Sequence, residues 1–459
     1  MISVEEAVRR GASARILAQA FLTEYFHERQ VTYPINPFQM LTDLGVPFVF
    51  RAFSNKSCEG MYLPAQGKDD VAIVGINIKR PITRQRYTTA HELCHHIKDS
   101  CSTYICNLGS NIPIERYAES FAAELLMPYT EMKQQILKRA PTGYLTFDQV
   151  LEIADYFGVS FSSCLIRAAS SFHKIEGKCE PSSLKKRAGK FGADKKRKVL
   201  GYTYVDLYAQ VIDAGEDCLY VEPSEFVKRK YCNEYVYNDA RMEGINIGRE
   251  KVAEIVTDIK LHKADSPYCT EQHENEVAIA GHALMYDYLF SIPGDKNVDI
   301  FFGLVSLHRQ LFSCAPSPEF GGAFRKSNPL VMGAKFETID SSKVIPALME
   351  LSPSVQRLLE QSVEISLSQY VKEVAIIHHK LTVIHPFGDG NGRTLRAFMN
   401  LLLIRRKLPP IYFKVEEKKV YLEALAQADR DDAHCESLYE VVFKAILRAQ
   451  AELTEAPPL

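Results

Sequence analysis

The sequence His385-Pro-Phe-Gly-Asp-Gly-Asn-Gly-Arg-Thr-Leu-Arg396 joins a histidine to three glycines, an acid and two arginines within one short stretch. A mostly apolar segment, 374–384, precedes it, and large apolar residues recur after it at helical spacing. The glycine segment is therefore predicted to be a loop that opens a helix. Such a loop offers unpaired backbone N–H groups and the positive end of the helix dipole to a phosphate. Its glycines let the backbone approach an anion closely.

The charged side chains of this loop suit phosphoryl or nucleotidyl transfer. Arg393 and Arg396 are three residues apart, so they share a helix face and can both bind phosphate oxygens. Asp389 is placed to hold Mg²⁺, and His385 titrates near neutral pH, as a general base should. The sequence therefore predicts a transfer site in this loop.

The same stretch matches the Fic family signature, H-x-F-x-D/E-G-N-G-R-x-x-R, and the resemblance extends over about residues 201–459. It implies an all-α domain with a small β-hairpin flap at 321–336, which moves AMP from ATP to a Tyr, Ser or Thr hydroxyl of a target protein. In this resemblance His385 is the catalytic base, Asp389 the Mg²⁺ ligand and Arg396 the partner of the γ-phosphate. The other nucleotide-binding positions that it implies are Gly388, Gly390, Asn391, Gly392 and Arg393.

A second segment, Asn238-Asp-Ala-Arg-Met-Glu-Gly-Ile245, resembles the inhibitory helix of Fic proteins, S/T-x-x-x-E-G/N. Asp239 stands in the Ser/Thr position, which is a departure, and the segment is predicted to open a helical stretch. The resemblance implies that Glu243 pairs with Arg396 and occupies the cation meant for the γ-phosphate, so the transferase is self-inhibited. Removal of AMP, with Glu243 positioning a water, stays open as an alternative.

His91-Glu-Leu-Cys-His95 lies in a predicted helix over residues 84–97. The i,i+4 spacing puts both imidazoles on one face, where they can share one Zn²⁺, and Glu92 can act as general base on a metal-bound water. The stretches Arg84–His95 and Glu115–Pro128 resemble the ImmA/IrrE metallopeptidases, and this resemblance covers most of residues 1–175. It implies an α+β, zincin-like peptidase in which a glutamate is the third zinc ligand.

The third ligand is assigned to Glu115, and Glu119, one turn further on, is expected to orient a ligand histidine. The two roles could be exchanged, because a sequence fixes no distance. Cys94 replaces a glycine common in that family, which removes no ligand. Cys101 and Cys106 have no second close cysteine pair with them and are expected to be incidental thiols.

The length of 459 residues predicts a multi-domain protein. The expected division is an ImmA/IrrE-like domain at 1–178, a basic linker at 179–200 and a Fic domain at 201–459. The linker is inferred from two clusters of basic residues in a segment poor in large apolar side chains. In the first domain, strands are predicted over 46–53 and 71–78.

Composition limits the partners of this chain. A net charge of -2, with 46% hydrophobic and 24% charged residues, is typical of a soluble globular protein and gives no general attraction to nucleic acid or membranes. Residues 153–160 resemble the turn of a DNA-binding motif but have no basic face beside them. The absence of a signal-peptide pattern and the eleven cysteines without a C-x-x-C pair favour reduced thiols and a cytoplasmic location.

The function expected from sequence is a self-inhibited protein adenylyltransferase using ATP and Mg²⁺, fused to a zinc peptidase. Its partners would be target proteins with an accessible hydroxyl and a peptidase substrate. The alternative is a regulatory zinc peptidase whose Fic domain senses nucleotide or removes AMP from modified proteins.

Overall fold

The structure is a computed structural model in which the chain forms two compact units, Met1–Cys218 and Leu219–Leu459. The residues that it describes are 2–67, 69–100, 102–107, 112–219, 224–270, 273–292, 298–328, 338–360, 364–429 and 435–454.

The first unit combines helices with one small sheet. Its helices are α1 (Val4–Arg9), α2 (Ala14–Phe26), α3 (Pro37–Asp43), α4 (Ile82–Lys98), α5 (Pro113–Leu126), α6 (Tyr129–Arg139), α7 (Phe147–Phe157), α8 (Phe161–Ser170), α9 (Pro181–Phe191), α10 (Ala193–Val199) and α11 (Val205–Ala214). Its strands are β1 (Phe48–Arg51), β2 (Cys58–Leu63), β3 (Ile73–Asn77) and β4 (Tyr104–Asn107). The sheet order is β1-β3-β2-β4, with β1 parallel to β3 and the other pairs antiparallel. The predicted α+β class is confirmed.

Helix α4 packs closely on the sheet at Gly60 of β2. A Cβ on Gly60 would lie 3.0 Å from both the Glu92 carboxylate and the Gly75 carbonyl oxygen, so only glycine fits without a shift. The edge strand β4 pairs with β2, and its Tyr104 ring stacks on the His95 ring at 4.2 Å. The sheet therefore lies directly against the two histidines of α4.

The first unit extends further along the chain than the sequence predicts. The Arg86 guanidinium is fully buried and donates to the carbonyls of Ile35, at 2.5 Å, and Gly158, at 3.1 Å, and to Gln210 Oε1 at 2.6 Å. Because Gln210 belongs to α11, this helix is part of the core of the first unit. The structure thus places the division after Cys218, not at residue 200.

Residues 179–200, expected to be a solvated linker, form helices α9 and α10. Leu184 and Ala188 are spaced one helical turn apart and both are buried, while the lysines beside them are largely exposed. These two residues, with Phe191 packed against Phe147 and Phe161, form the apolar side of α9. The basic composition concealed this pattern.

The second unit is helical in the part of the chain that is described. Its helices are α12 (Glu225–Met242), α13 (Arg249–His262), α14 (Glu274–Ser291), α15 (Ile300–Leu311), α16 (Val344–Leu359), α17 (Leu367–Ile384), α18 (Asn391–Arg405), α19 (Lys418–Ala428) and α20 (Glu436–Leu453). The predicted all-α class is confirmed. The second half of the predicted flap, 329–336, lies outside the described residues, and in the first half an isolated bridge joins Phe324 to Phe387.

Two further observations bear on the composition of the chain. Cys269 and Cys314 are joined by a disulfide across 45 residues, against the expectation of reduced thiols, whereas eight other described cysteines are free. Within the described residues, no helix combines the length and apolar character needed to cross a bilayer.

Candidate functional site

The loop between α17 and α18 has a backbone suited to anion binding. His385 ends α17 in the left-handed conformation at φ 50°, and Gly390 precedes α18 at φ 70°. A Cβ on Gly390 would overlap the Phe312 ring. Both this overlap and the positive φ therefore require glycine at this position. The first helical bond of α18 runs from the Thr394 N–H to the Gly390 carbonyl at 3.0 Å. The N–H groups of the preceding first turn therefore have no helical acceptor and point out of the helix end.

Asn391 braces this loop with its side chain. Its Oδ1 accepts from the Phe387 N–H at 2.9 Å, and its Nδ2 donates to the Phe387 carbonyl at 2.8 Å. The expectation that Asn391 helps to cradle phosphate is therefore restricted to its backbone N–H, because the amide is already occupied. The side chain fixes the loop conformation instead.

His308 on α15 supports the loop from beneath, a role that the sequence did not reveal. Its Nδ1 accepts from the Gly322 N–H at 2.7 Å, so Nε2 carries the proton and donates to the Asp389 carbonyl at 3.0 Å. The ring also stacks on Phe387 with centroids 3.8 Å apart. Burial lowers the pKa of His308 to about 4, which keeps this tautomer neutral at physiological pH.

Arg325 caps the C-terminal end of α17. Its Nε donates to the His385 carbonyl at 2.7 Å and its Nη2 to the Ile384 carbonyl at 3.3 Å, while its backbone N–H donates to the Pro386 carbonyl at 3.0 Å. A cation at a helix C-terminus also stabilises the helix dipole. Arg325 thereby holds His385 in its left-handed conformation.

The predicted base and the predicted Mg²⁺ ligand lie at the open side of the loop. His385 is partly buried, and burial lowers its pKa, so its ring is neutral and able to accept a proton near neutral pH. Asp389 and Gly388 are exposed, and one Asp389 oxygen accepts from the Gly390 N–H at 2.7 Å. A single exposed carboxylate beside a phosphate site fits Mg²⁺, which usually takes one or two carboxylates and completes its shell with phosphate oxygens and water.

Glu243 lies against the N-terminal end of α18. Its Oε1 accepts from Arg396 Nη2 at 2.5 Å, and a Cβ added to Gly392 in the first turn of α18 would overlap this same oxygen. The carboxylate thus contacts both the second arginine of the loop and the N-terminal end of α18. The segment around Glu243 ends helix α12, with Gly244 left-handed at φ 85°, and does not open a helix as predicted.

Asp239 is a second carboxylate on Arg396, and its role was not foreseen. One oxygen accepts from Arg396 Nε, and the other lies 3.0 Å from His282 Nε2. The side chain of Asp239 is 1% exposed, compared with 32% for Glu243. Burial alone would raise the pKa of Asp239, but the Arg396 charge and the contact with His282 lower it overall, so the carboxylate is ionised.

Arg393 keeps an unused donor in the site. The residue is buried, and its Nε has no hydrogen-bond partner among the described residues. This N–H is therefore a donor that a phosphate oxygen could accept from.

The first unit contains a second convergent site, in which His91 and His95 on α4 meet Glu115 on α5. The two Nε2 atoms are 3.2 Å apart, and the Glu115 oxygens lie 3.3 Å from His91 Nε2 and 3.5 Å from His95 Nε2. Tetrahedral ligands at zinc bond lengths of 2.0–2.1 Å are separated by about 3.3 Å. The three groups therefore fit a Zn²⁺ ion in both donor type and spacing.

Glu92 and Glu119 differ in their relation to this site. Glu92 is fully buried, and neither of its carboxylate oxygens has a hydrogen-bond partner among the described residues. Burial and the charge of Glu115 raise its pKa well above the ordinary value. Within the described residues, the groups of possible ligand atoms include Glu115 with both histidines and do not include Glu119. The geometry favours Glu115 as the third ligand.

Comparison with known proteins agrees with this division into two sites. A family model for the IrrE N-terminal-like domain matches residues 41–169, and one for the Fic/DOC family matches residues 303–403. A protein adenylyltransferase Fic of Nematostella vectensis is 28% identical over 231 residues, which cover 48% of this chain and 50% of that protein. Another, from Aedes aegypti, is 34% identical over 202 residues, which cover 43% of this chain and 37% of that protein.

The chain therefore spans half or less of the length of these relatives. A solved Fic domain-containing signaling protein from Bacteroides thetaiotaomicron has 17% identity and a TM-score of 0.43, covering 53% of this chain and 94% of that one. The family matches include the loop from His385 to Arg396 and the group of His91, His95 and Glu115. Residues 41–169 thus form an IrrE N-terminal-like domain, and residues 303–403 form a domain of the Fic/DOC family.

Proposed function

We propose that the second unit transfers AMP from ATP to a hydroxyl of a target protein and that its resting state is inhibited by Glu243. The observation that carries this proposal is the position of the Glu243 carboxylate, which contacts Arg396 at 2.5 Å and covers the first turn of α18. An anion of the same chain thus occupies the proposed phosphate site. Relatives named as protein adenylyltransferases support the choice of reaction.

In the proposed reaction, the neutral His385 imidazole accepts the proton of the target Tyr, Ser or Thr hydroxyl. The hydroxyl oxygen forms a bond to the α-phosphorus, and the bond from that phosphorus to the pyrophosphate oxygen breaks as pyrophosphate leaves. The open N–H groups of Gly392 and its neighbours would bind the phosphates, and Arg393 would stabilise the charge that develops. Mg²⁺, when held by Asp389, supplies neutralisation of phosphate charge.

Inhibition follows from competition for one cation. While Glu243 is bound to Arg396, the γ-phosphate lacks its partner and meets a negative charge, so ATP binds in an unproductive pose. Asp239 holds the Nε side of the same guanidinium and leaves only the Nη side for exchange between Glu243 and phosphate. Glu243 is the more exposed carboxylate and is therefore the one that can leave.

The test is transfer of label from α-labelled ATP to protein, with the modified residue identified by mass spectrometry. Glu243→Gly should raise labelling above the wild-type level, and His385→Ala in that background should abolish it. Arg241→Gly is a matched control, because it introduces glycine into the same last turn of α12 without touching Arg396. Equal labelling by Glu243→Gly and wild type would refute the inhibitory role.

Removal of AMP is the competing reaction for the same loop. It requires Glu243 to position a water for attack on a target already carrying AMP. Incubation with AMP-modified protein would then release AMP from wild type, and Glu243→Gly would lose this activity. Glu243→Gly should therefore raise AMP transfer if the protein adds AMP, and abolish AMP release if the protein removes it.

We further propose that the first unit binds Zn²⁺ through His91, His95 and Glu115 and has a peptidase site in which Glu92 is the general base. The match of the three ligand-atom separations to tetrahedral zinc geometry supports the metal. His91→Ala should lower the bound zinc measured by mass spectrometry of metals, whereas Glu92→Gln should retain the metal and remove proteolysis. The regulatory alternative requires Glu92→Gln to abolish the biological effect of the protein while His385→Ala leaves it intact.

A further inference from the structure

Helix α9 is fixed to the first unit by one of its sides. The Phe191 ring stacks on Phe161 with centroids 4.7 Å apart, and the Arg187 guanidinium lies 5.1 Å from the centre of the Phe147 ring. Arg187 also donates to the Lys178 carbonyl at 3.2 Å. The other side of α9 carries three lysines that lie outside these contacts and are exposed.

Helix α10 is anchored on α7 by two of its four basic residues. Arg197 is buried and pairs with Asp155 at 2.5 Å, and Lys196 pairs with Asp148. The other two basic residues of α10 are lysines that lie outside these contacts and are exposed. Residues 179–200 therefore hold their cations in fixed helices and not on a mobile linker.

The exposed lysines of the two helices form a surface that we call the basic face: Lys185, Lys186, Lys190, Lys195 and Lys198. Within the described part of the chain, no ion pair reaches any of the five. Only Gly192 separates α9 from α10, and both helices are held against α7. Their outer sides are therefore presented to solvent together.

The spacing of these lysines works against the helices that carry them. Lys186 and Lys190 are four residues apart, and Lys195 and Lys198 are three apart, so each pair brings two positive charges side by side. Residues 179–200 contain eight basic and two acidic residues, in a chain that has 55 basic and 57 acidic residues. A bound polyanion would replace this repulsion with attraction at every lysine.

The apolar residues of the two helices favour a nucleic acid over a membrane as that polyanion. A basic helix that binds membranes also inserts an apolar side into the bilayer. The apolar side of α9 is already packed against Phe147 and Phe161. The exposed large apolar residues of this segment are Val199 and Leu200, which are too few to form such a side. Binding to a nucleic-acid backbone needs only the exposed cations.

We propose that the basic face binds the phosphate backbone of double-stranded nucleic acid without reading its sequence. The affinity would come from lysine contacts to phosphates and from the counterions that these contacts release. The net charge of -2 conceals such a site, because acidic residues elsewhere in the chain offset the local surplus of positive charge. This inference depends on neither the proposed AMP transfer nor the proposed zinc site.

The first test uses the unaltered full-length protein and a fluorescently labelled DNA duplex of random sequence, with binding read by anisotropy. Five phosphate contacts predict that log K falls with log salt concentration with a slope of about -4.5, which is a loss of about 500-fold between about 50 and 200 mM salt. A second duplex of different sequence should bind equally well. A slope weaker than about -2 would contradict a footprint of five lysines.

The second test removes two charges from the basic face. Lys186→Gln with Lys190→Gln should weaken binding at low salt by about tenfold or more and bring the slope about two closer to zero. Lys133→Gln with Lys138→Gln is the matched control, because it removes the same charge from exposed positions on α6 of the same unit. The control should bind within about twofold of wild type.

Three results would overturn the proposal. They are no binding of duplex DNA at low salt, equal losses in the two double variants, and binding to vesicles that contain phosphatidylserine without binding to DNA. The last result would assign the basic face to a membrane surface instead. Thermal unfolding of both double variants shows whether they are folded, and the salt dependence of the unaltered protein does not rely on them.

Discussion

At the scale of single residues, Arg396 is the most heavily paired group of the proposed transferase site. Its guanidinium is buried between Asp239 and Glu243, two carboxylates that are one helical turn apart on α12. Asp239 is enclosed, whereas Glu243 is one-third exposed. The two contacts therefore differ: the enclosed carboxylate fixes the arginine, and the exposed one is the carboxylate that we propose competes with substrate.

The two carboxylates should differ in their effect on stability. Asp239→Ala leaves part of a buried cation and the buried His282 without a partner, and removal of one partner of a buried pair costs about 3 kcal/mol or more. Glu243→Ala removes a partly exposed charge and should cost less than about 1 kcal/mol. Denaturant unfolding of both variants measures the difference, and equal losses would show that Asp239 has no special structural role.

The proposed catalytic histidine predicts a pH dependence. Burial lowers the pKa of His385, and the ring must be neutral to accept a proton. Activity of Glu243→Gly should therefore fall only as the pH drops through a value below about 6.5, the ordinary pKa of histidine. The pH profile of kcat/KM for label transfer measures this limb. An acid limb at or above 6.5 would mean that another group controls the reaction.

Site residues could be predicted from the sequence only where the residues that act together are close along the chain. The loop residues and the pair His91 and His95 are close in the chain, so spacing alone located them. His308 and Asp239 act on partners that are 81 and 157 residues away. Nothing in the local pattern distinguishes His308 from an ordinary core histidine, and the motif position of Asp239 did not reveal its contact with Arg396.

At the scale of elements, two glycines precede α18, and they differ in how much the start of the helix depends on them. Gly390 is left-handed at φ 70° and lies against Phe312 and Leu311, whereas a Cβ on Gly388 would meet nothing within 4 Å. These two positions in one loop form a natural pair for testing how the helix end is built.

Gly390→Ala should therefore destabilise the second unit by about 2 kcal/mol or more, through left-handed strain and overlap with the Phe312 ring. Gly388→Ala should stay within about 0.5 kcal/mol of wild type. Calorimetric unfolding of the two variants checks the contrast. Similar losses at both positions would indicate that the loop differs from the one described.

The sequence predicted the strands and helices that have long apolar patterns. It did not predict short elements that depend on contacts with distant parts of the chain. Predicted strands at 46–53 and 71–78 correspond to β1 and β3. Strand β4 was missed because it has only four residues and one buried side chain, Cys106, in an otherwise mixed sequence. Its pairing with β2, which no local signal encodes, makes it a strand and brings Cys106 near His91.

At the scale of the whole molecule, the boundary after Cys218 gives the first unit a final helix. Besides the Arg86 contact, Gln210 Nε2 donates to the Pro34 carbonyl at 2.9 Å, and Thr42 Oγ1 donates to the Ala214 carbonyl at 2.8 Å. Removal of α11 would strip partners from a buried guanidinium and expose the core that Leu207 and Val211 cover.

A fragment of residues 1–218 should therefore unfold cooperatively, and a fragment of residues 1–200 should be much less stable or fail to fold. The buried arginine that loses its partner and the lost apolar burial both act in this direction. Thermal unfolding followed by circular dichroism compares the two. Equal midpoints would support the boundary at residue 200 that the sequence suggested.

Because Glu243 lies on the same polypeptide as Arg396, the proposed inhibition should not depend on protein concentration. A carboxylate carried by the end of α12 is present at a fixed effective concentration, set by the fold and independent of how much protein is in solution. Dilution cannot remove this carboxylate, so the proposed inhibition would act within each molecule. Specific activity of the wild type should thus stay constant over a wide range of enzyme concentration, and activators should be ligands that compete for the arginine or move α12.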